Sequence, residues 1–485
     1  MICVAIKGPS LADAKKQIAA SLKVADLVEL YLDSFETLDI GELLKEFPIP
    51  IILTLRSKEQ GGKTARSQEE RLNALRRLAA LNPEYLDLEI SDPPTFIQEI
   101  KATYPEIKII LSYHNFEETP DLETVYKKMQ TLPAQFYKIA VMAKNSLDTM
   151  RLLIFAKEKN KNIIMISMGP FGQISRILAP LIKSPITYAS IESGQESAPG
   201  QLTANTLIER YHYPSLNSDT ALYGLIGDPI DQSVSDVSHN HIFNKFNLNA
   251  AYVKIPVKAE ELPEFITLAK RLDVKGLSVT MPLKEAIIPL LDEICPEAQK
   301  IGAVNTLNFD NGKVFGCNTD GFGALNALEK TVSVKDSQVV IIGAGGAAKA
   351  IGFEAKKRGA LLTIINRDIN KAHRLAEELK CSSAGLDQMP LCAQKGYALL
   401  INTTPLSLPI DPSDILPTSY VMDIKTRPQE TLLIKHAKEK SCTIIYGYEM
   451  FIEQALGQYN LWFQGKIPTN TARELLTAKI QATLN

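Results

Sequence analysis

Short apolar runs alternate with stretches at helical spacing from the first residues of the chain. Apolar runs at 2–6, 27–32, 51–55, 85–89, 107–112, 136–142, 163–168 and 186–189 predict strands. Helical spacing at 11–22, 40–47, 68–81, 94–104, 122–132, 147–159, 172–182 and 202–211 predicts a helix after each. Eight strands, each followed by a helix, make residues 1–212 a parallel (β/α)8 TIM barrel rather than an open sheet. Most of the runs are apolar throughout, as strands are when helices cover one face and packed side chains the other. A polar stretch from Tyr211 to Asp219 then breaks the pattern, so 213–220 reads as a linker. Strand-helix alternation resumes over 221–328.

The next clear signal is Val339-Val340-Ile341-Ile342-Gly343-Ala344-Gly345-Gly346-Ala347-Ala348. A β-branched run meets three glycines and then small residues that open a helix. The glycines let the backbone approach a diphosphate, and the helix end offers unpaired N–H groups. A lone glycine triplet is weak evidence, but a preceding strand and a following helix make this a Rossmann dinucleotide site at Gly343, Ala344, Gly345, Gly346 and Ala347. The apolar run at 361–365 ends in Asn366-Arg367, where an NAD site usually carries an acid, and Lys371 follows one turn later. That cationic cluster suits a 2′-phosphate, so NADP is the expected cofactor. Asp368 argues the other way, but it lies past the strand end, where it reads as a helix cap.

Composition narrows the class. The 485 residues exceed one ordinary domain, and a hydrophobic fraction of 45% with 22% charged residues is that of a soluble globular protein. A net charge of −2 gives no reason to expect nucleic acid or a membrane as partner. The N-terminal apolar run is short and lacks a basic region before it, so no signal peptide is expected. The six cysteines are scattered singly, with no C-x-x-C pair, which suits reduced thiols in the cytoplasm. His239 and His241 are two apart and do not share a helix face, so no metal pair is expected.

In a (β/α)8 barrel the active site lies at the C-terminal ends of the strands. Those ends supply Glu29, Tyr31, Arg56, Glu89, His114, Lys138 and the loop with Arg176. Taken singly, Lys138 reads as a surface lysine, His114 as a structural histidine, and Glu29 and Glu89 as ion-paired supports. Together they define a chemistry. A lysine desolvated among Ile139, Ala140 and other apolar groups is a neutral amine that condenses with a ketone. The iminium acidifies the adjacent C–H, a histidine removes that proton and protonates a leaving hydroxyl, and arginines hold a carboxylate. The expected reaction is elimination of water from a hydroxylated keto acid.

These residues lie in motifs that resemble the type I 3-dehydroquinate dehydratases. The motifs are Ser112 through Pro120, Lys138-Ile139-Ala140, Met168 through Arg176, Thr54-Leu55-Arg56 and Ser197-Ala198-Pro199-Gly200-Gln201. The resemblance covers roughly the first two hundred residues and implies Lys138 as the Schiff-base lysine and His114 as general acid/base. It further implies that Arg176 binds the substrate carboxylate, that Ser197 and Gln201 close over the ring, and that Arg56 and Glu29 contact ring hydroxyls. Two positions depart from the family pattern. E-L-R-x-D reads Glu29-Leu30-Tyr31-Leu32-Asp33, and a glutamate often found before the paired glycines is Gln60.

In the second half, Ser233, Ser235 and Ser238 follow the first strand, before a helix at 239–246. Small hydroxyls there either cap the helix or bind a carboxylate, and the sequence leaves both open. Lys284, after the strand-like Leu277-Ser278-Val279-Thr280, and Asp320 suit carbonyl reduction beside a nicotinamide. These segments, with Gly302 through Thr306, Asn318 through Gly321, Ile401 through Pro405 and Gly447 through Gln454, resemble shikimate dehydrogenase. The resemblance implies Lys284 and Asp320 as the catalytic pair. It places Ser233, Ser235 and Thr280 at the substrate carboxylate, Asn305 and Gln454 with Asp320 at ring hydroxyls, and Thr403 and Gly447 at the cofactor. It also implies a nucleotide domain over 329–446, with 447–485 returning to the substrate domain. S-K-S-P here reads Ser233-Val234-Ser235-Asp236, and Thr426 stands where D-x-x-Y has tyrosine.

The two resemblances are consecutive steps. The first half is expected to convert 3-dehydroquinate to 3-dehydroshikimate, and the second to reduce it to shikimate with NADPH. Two competing readings are a dehydrogenase that prefers quinate or NAD, and a regulator that binds these metabolites without turnover. The regulator reading predicts loss of catalytic groups, yet Lys138, His114, Lys284 and Asp320 are all present.

Overall fold

The computed structural model describes residues 1–35, 37–63, 66–159 and 162–484. The chain divides into two compact units: Met1–Ala221 with Asn249–Ala251 and Thr267–Leu272, and the remainder. Among the described residues no helix is long and apolar enough to cross a membrane.

The first unit is the expected barrel. Its elements are β1 (Ile2–Ile6), α1 (Leu11–Ser21), β2 (Leu27–Tyr31), α2 (Leu43–Glu46), β3 (Ile51–Thr54), α3 (Gln68–Ala79), β4 (Tyr85–Glu89), α4 (Pro94–Thr103), β5 (Lys108–Asn115), α5 (Leu122–Met129), β6 (Phe136–Met142), α6 (Ser146–Lys159), β7 (Ile163–Met168), α7 (Gln173–Ile177) and β8 (Thr187–Ala189). The strands are parallel and pair in the order β7-β6-β5-β4-β3-β2-β1-β8, a nearly closed sheet.

Strand parity sorts the interior into layers, because residues two apart face the same side. Leu27, Ile52, Tyr85 and Ile110 share one apolar cluster with Cys3, Ile164 and Ile186. Two residues further along the same strands come Glu29, Thr54, Asp87 and Ser112, all buried. Two further again come Tyr31, Arg56, Glu89 and His114. The apolar plug thus ends where the polar layers begin, toward the C-terminal ends of the strands.

Three expected helices are shorter than their periodicity. The 40–47 stretch keeps only α2, the 172–182 stretch is a 3-10 turn at Pro170–Gly172 followed by α7, and the 202–211 stretch holds a π turn at Thr206–Arg210. Pro48 and Pro180 follow the first two closely, and the residue before a proline is pushed out of helical geometry. β5 runs on to Asn115, so His114 stands on the strand rather than beyond it.

The chain continues with β9 (Ala221–Gly227), α8 (Ser235–Lys245), β10 (Ala250–Pro256), α9 (Leu262–Leu272), β11 (Val274–Val279), α10 (Leu283–Ala286), β12 (Glu293–Ile294), α11 (Pro296–Ile301), β13 (Thr306–Asp310), β14 (Lys313–Cys317) and α12 (Asp320–Leu328). Their sheet has the order β10-β9-β11-β13-β14-β12, with β13 antiparallel to both its neighbours. The helix expected at 239–246 begins four residues earlier, so Ser235 and Ser238 lie within it.

The nucleotide-type fold follows: β15 (Gln338–Ile342), α13 (Gly346–Lys357), β16 (Leu361–Asn366), α14 (Ile369–Leu379), β17 (Ser382–Gly385), α15 (Met389–Lys395), β18 (Leu399–Asn402), β19 (Tyr420–Asp423), α16 (Leu432–Glu439) and β20 (Thr443–Tyr446). The sheet is parallel, in the order β17-β16-β15-β18-β19-β20, and its order reverses between β15 and β18. Along β15, Val339 and Ile341 enter one apolar cluster, while Val340 and Ile342 enter another. Helices therefore cover both faces, and ligands of such sheets bind where the order reverses. Finally α17 (Gly447–Phe463) and α18 (Thr469–Leu484) complete the described chain. α17 lies tightly on α12, because a Cβ on Gly323 would come within 2.7 Å of the Gln454 backbone nitrogen.

Candidate active sites

The barrel site is built from the two polar layers. Lys138 on β6 is 2% exposed. Its Nζ lies 3.0 Å from Glu29 Oε1, 3.3 Å from Asp87 Oδ2 and 4.2 Å from the centre of the Tyr188 ring. The expected apolar surroundings are therefore incomplete: the amine is ion-paired as well as buried. Thr54 donates to Glu29 Oε1 at 2.8 Å and Ser112 to Asp87 Oδ1 at 2.6 Å, which fixes both carboxylates. Burial alone would raise the Glu29 pKa, but the Lys138 and Arg56 charges with hydrogen bonds from Thr54 and Tyr31 hold it below the usual range.

Arg56 Nη2 lies 3.7 Å from Glu29 and 3.8 Å from Asp87, and its guanidinium sits over the Tyr31 ring at 5.4 Å. Arg56 Nη1 contacts both ring nitrogens of His114, at 2.9 Å for Nδ1 and closer for Nε2. The Gln60 amide oxygen accepts the His114 backbone N–H at 2.8 Å and lies 3.3 Å from Nδ1. An amide oxygen only accepts and a guanidinium only donates, so the tautomer that satisfies both has the hydrogen on Nδ1, toward Gln60, and the lone pair on Nε2, toward Arg56. Burial, then the Arg56 and Lys138 charges, push the His114 pKa well below its usual value, leaving a neutral imidazole.

Arg176 on α7 is 1% exposed. Its Nη1 donates to the Tyr188 carbonyl at 3.3 Å, while Nε and Nη2 have no partner among the described residues. Burial lowers its pKa to about 10. A buried guanidinium without a counter-ion is costly unless an anion arrives. Within the group of Lys138, Arg56, Glu29 and Asp87 two cations already face two carboxylates, so Arg176 is the surplus charge. In the loop after β8, Ser197 donates to Gln201 Oε1 through Oγ at 3.1 Å, and the Gln201 Nε2 has no partner among the described residues. Glu89, in the outer polar layer, binds Arg71 at 3.2 Å and the Ser57 N–H at 2.7 Å, and so supports the turn after Arg56.

The second site lines a cavity of about 700 Å³. Lys284, in the first turn of α10, forms a short ion pair with Asp320 Oδ2 at the start of α12. The Asn305 amide donates to Asp320 Oδ1 at 2.9 Å and to Thr319 Oγ1 at 3.0 Å, and lies 3.5 Å from Gln454 Oε1. The Thr319 backbone N–H, which can only donate, reaches Asn305 Oδ1 at 2.9 Å and so sets which end of the amide faces Asp320, and Thr306 donates to the same oxygen at 2.7 Å. Across the cavity Ser233 and Ser235 share a hydrogen bond at 2.8 Å, and Thr280 lines the same wall. Lys425, Thr426 and Arg427 also line it.

The glycine fingerprint meets this cavity. Gly343 has φ +117°, and a Cβ there would come within 2.2 Å of Thr403 Oγ1. A Cβ on Gly345 would meet nothing within 4 Å, which leaves open space at the α13 N-terminus. Gly346 packs against Lys284, whose Cβ and Cδ would lie 3.2 and 3.3 Å from an added Cβ. Ala347, Thr403 and Gly447 line the cavity, while Ala344 and Gly345 line an adjoining hollow with Asn366, Arg367, Lys371, Lys349 and Arg374. Asp368 is the N-cap of α14, accepting from the Asn370 and Lys371 N–H groups, so its carboxylate is engaged locally. No group of three His, Cys, Asp or Glu suited to a metal ion occurs among the described residues.

Asp87, Thr319 and Tyr188 belong to these sites but were not expected from the sequence. Asp87 had a readable signal: it shares strand parity with Glu89 and interrupts an apolar run. Thr319 and Tyr188 had none beyond their neighbours.

Comparison with known proteins finds three matching families. The type I 3-dehydroquinase family matches residues 2–218, the shikimate dehydrogenase substrate binding domain 225–307, and shikimate/quinate 5-dehydrogenase 326–424. The shikimate biosynthesis protein AroDE of Chlamydia pneumoniae is 38% identical over 96% of this chain and 95% of its own length. The bifunctional 3-dehydroquinate dehydratase/shikimate dehydrogenase of Arabidopsis thaliana, a chloroplastic protein, is 33% identical over 90% of this chain and 77% of its own. A solved shikimate dehydrogenase in complex with NADP+ superposes with a TM-score of 0.51 at 36% identity, covering 55% of this chain and 97% of its own. That of Aquifex aeolicus gives 0.51 at 34% identity, covering 54% and 99%.

Proposed function

Since the chain belongs to the family of bifunctional 3-dehydroquinate dehydratase/shikimate dehydrogenases, we propose a role for each residue in its two reactions of the shikimate pathway. Residues 1–212 carry the dehydration, 213–220 link, 221–328 with 447–485 hold the second substrate, and 329–446 bind NADP. The described part of the last segment ends at Leu484.

In the barrel, Arg176 takes the carboxylate of 3-dehydroquinate and places its ketone at Lys138. Glu29 and Asp87 are the nearest acceptors for the proton that the amine gives up before it attacks. Loss of water gives an iminium that acidifies the neighbouring C–H. His114 Nε2, uncapped as Arg56 turns to substrate hydroxyls, removes that proton and delivers one to the departing hydroxyl. Water then releases 3-dehydroshikimate from Lys138. Ser197 and Gln201 close over the ring. One observation carries this reading: an amine, a neutral imidazole and a guanidinium with two nitrogens unpartnered among the described residues are buried in one barrel.

In the second unit Ser233, Ser235 and Thr280 receive the carboxylate of 3-dehydroshikimate, and Asn305 and Gln454 receive ring hydroxyls. Bound NADPH supplies hydride to the carbonyl carbon. Lys284 gives a proton to the carbonyl oxygen, and Asp320 holds the ammonium in place. The residues present fit this cofactor: Gly343, Gly345 and Gly346 leave room for a diphosphate, and Arg367 and Lys371 offer charge for the 2′-phosphate. Free cysteines fit a reducing compartment, which supports a cytoplasmic location.

Borohydride reduction in the presence of 3-dehydroquinate tests the first assignment. Peptide mapping should find the adduct on Lys138, and an adduct elsewhere, or none, would refute it.

A further inference from the structure

Cys295 and Cys317 lie outside both sites, and nothing in their sequence spacing joins them. Parallel β12 and β14 set Ile294 opposite Gly316, and the Cys295 N–H extends the ladder to the Gly316 carbonyl at 2.9 Å. One residue on, Cys295 is opposite Cys317. Adjacent strands are about 4.8 Å apart, within the roughly 4.4–6.8 Å that a disulfide spans between Cα atoms. Both thiols are free and both residues half-buried. The neighbouring Cys317 thiol, opposed by burial and helped by the Ala298 and Asn318 backbone N–H groups, brings the Cys295 pKa down to about 6, favouring the reactive thiolate.

We propose that Cys295 and Cys317 form a modification site at which hydrogen peroxide makes a disulfide that lowers the dehydrogenase activity. The Cys295 thiolate attacks peroxide, an S–O bond forms, the O–O bond breaks, and hydroxide leaves. Sulfur loses two electrons to the peroxide. Cys317 then gives up its proton and attacks the Cys295 sulfur, the S–S bond forms, and the S–O bond breaks to release water.

The consequence, though not the disulfide itself, rests on the role given to Asp320. Cys317 leads directly into Asn318-Thr319-Asp320, and its carbonyl accepts the Asn305 N–H at 3.1 Å. Asn305 in turn holds Asp320. The cross-link ties Cys317, which leads into that segment, to the end of β12, and so moves the segment that positions Asp320.

Peroxide treatment of the full chain, followed by alkylation and peptide mapping, tests this. A Cys295–Cys317 cross-linked peptide, lighter by two hydrogens, should appear while the dehydrogenase kcat falls about tenfold. Dithiothreitol should restore it, and dehydratase activity should not change. Cys295→Ser should keep its dehydrogenase activity under peroxide. In Cys317→Ser, dimedone should capture a Cys295 sulfenic acid. If both thiols remain alkylatable after peroxide, the site is refuted. If the cross-link forms without loss of activity, its link to Asp320 is refuted. Equal loss in Cys295→Ser would also overturn the proposal.

Discussion

Gln60 holds His114 through one oxygen, which accepts the backbone N–H at 2.8 Å and lies 3.3 Å from Nδ1. A neutral amide thus stands where the resembling family often has glutamate. The His114 pKa is held well below 6.5, so the base stays unprotonated at pH values where an ordinary histidine is charged. The acidic limb of dehydratase kcat/KM should therefore lie below pH 6.5. In Gln60→Glu a carboxylate beside Nδ1 stabilises the imidazolium, and the limb should move up by about one pH unit. A pH profile that does not move would remove Gln60 from this role.

Asn305 reaches Asp320, Thr319 and Gln454 with one amide. Asn305→Ala should lower dehydrogenase kcat by roughly ten- to a hundredfold through misplacement of Asp320. Lys284→Ala or Asp320→Asn should cost about 10²–10⁴-fold. Dehydratase activity in the same samples serves as the folding control and should be unchanged.

Arg367 and Lys371 border the hollow beside Gly345. Loss of charge-assisted hydrogen bonds in Arg367→Ala should raise KM for NADPH about tenfold. KM for NADH, which lacks the 2′-phosphate, should stay within about twofold. Equal effects on both cofactors would place the phosphate elsewhere.

His239 packs on Tyr252 at 4.2 Å between ring centres, and Nδ1 lies 2.9 Å from the Ser235 carbonyl. Burial, opposed by hydrogen bonds, brings its pKa down to about 4. Between that value and about 6.5 the unfolded chain binds a proton that the folded chain refuses. The stability it contributes is therefore complete above about pH 6.5 and is lost as pH falls toward 4, by at most roughly 1.4 kcal/mol per pH unit. Trp462 is the chain's single tryptophan and lies 6.0 Å from the His239 ring, so its fluorescence reports on this region. Between pH 6.5 and 5 the urea midpoint by this signal should fall more in the wild type than in His239→Gln.

Much of this was legible in the residues. Apolar periodicity gave the barrel, and the glycine run after a β-branched strand gave the nucleotide fold. His114 was legible from its strand end, whereas Lys138, expected at a strand end, lies within β6, level with Ser112. Periodicity did not reveal the ion pairs that hold Lys138, since it sorts residues by face and not by partner. Asp87 shows this: its strand was read as apolar, yet its carboxylate meets a lysine 51 residues away in sequence. Cys295 and Cys317 looked scattered because β12 is two residues long, too short for any pattern to announce the pairing.

The central claim is that one chain carries out both steps, the first through Lys138. Purified chain given 3-dehydroquinate and NADPH should consume NADPH without any added enzyme. Lys138→Ala should consume none from 3-dehydroquinate but should still consume it from 3-dehydroshikimate. NADPH consumption from 3-dehydroquinate by that variant, or none by folded wild type, would contradict the account.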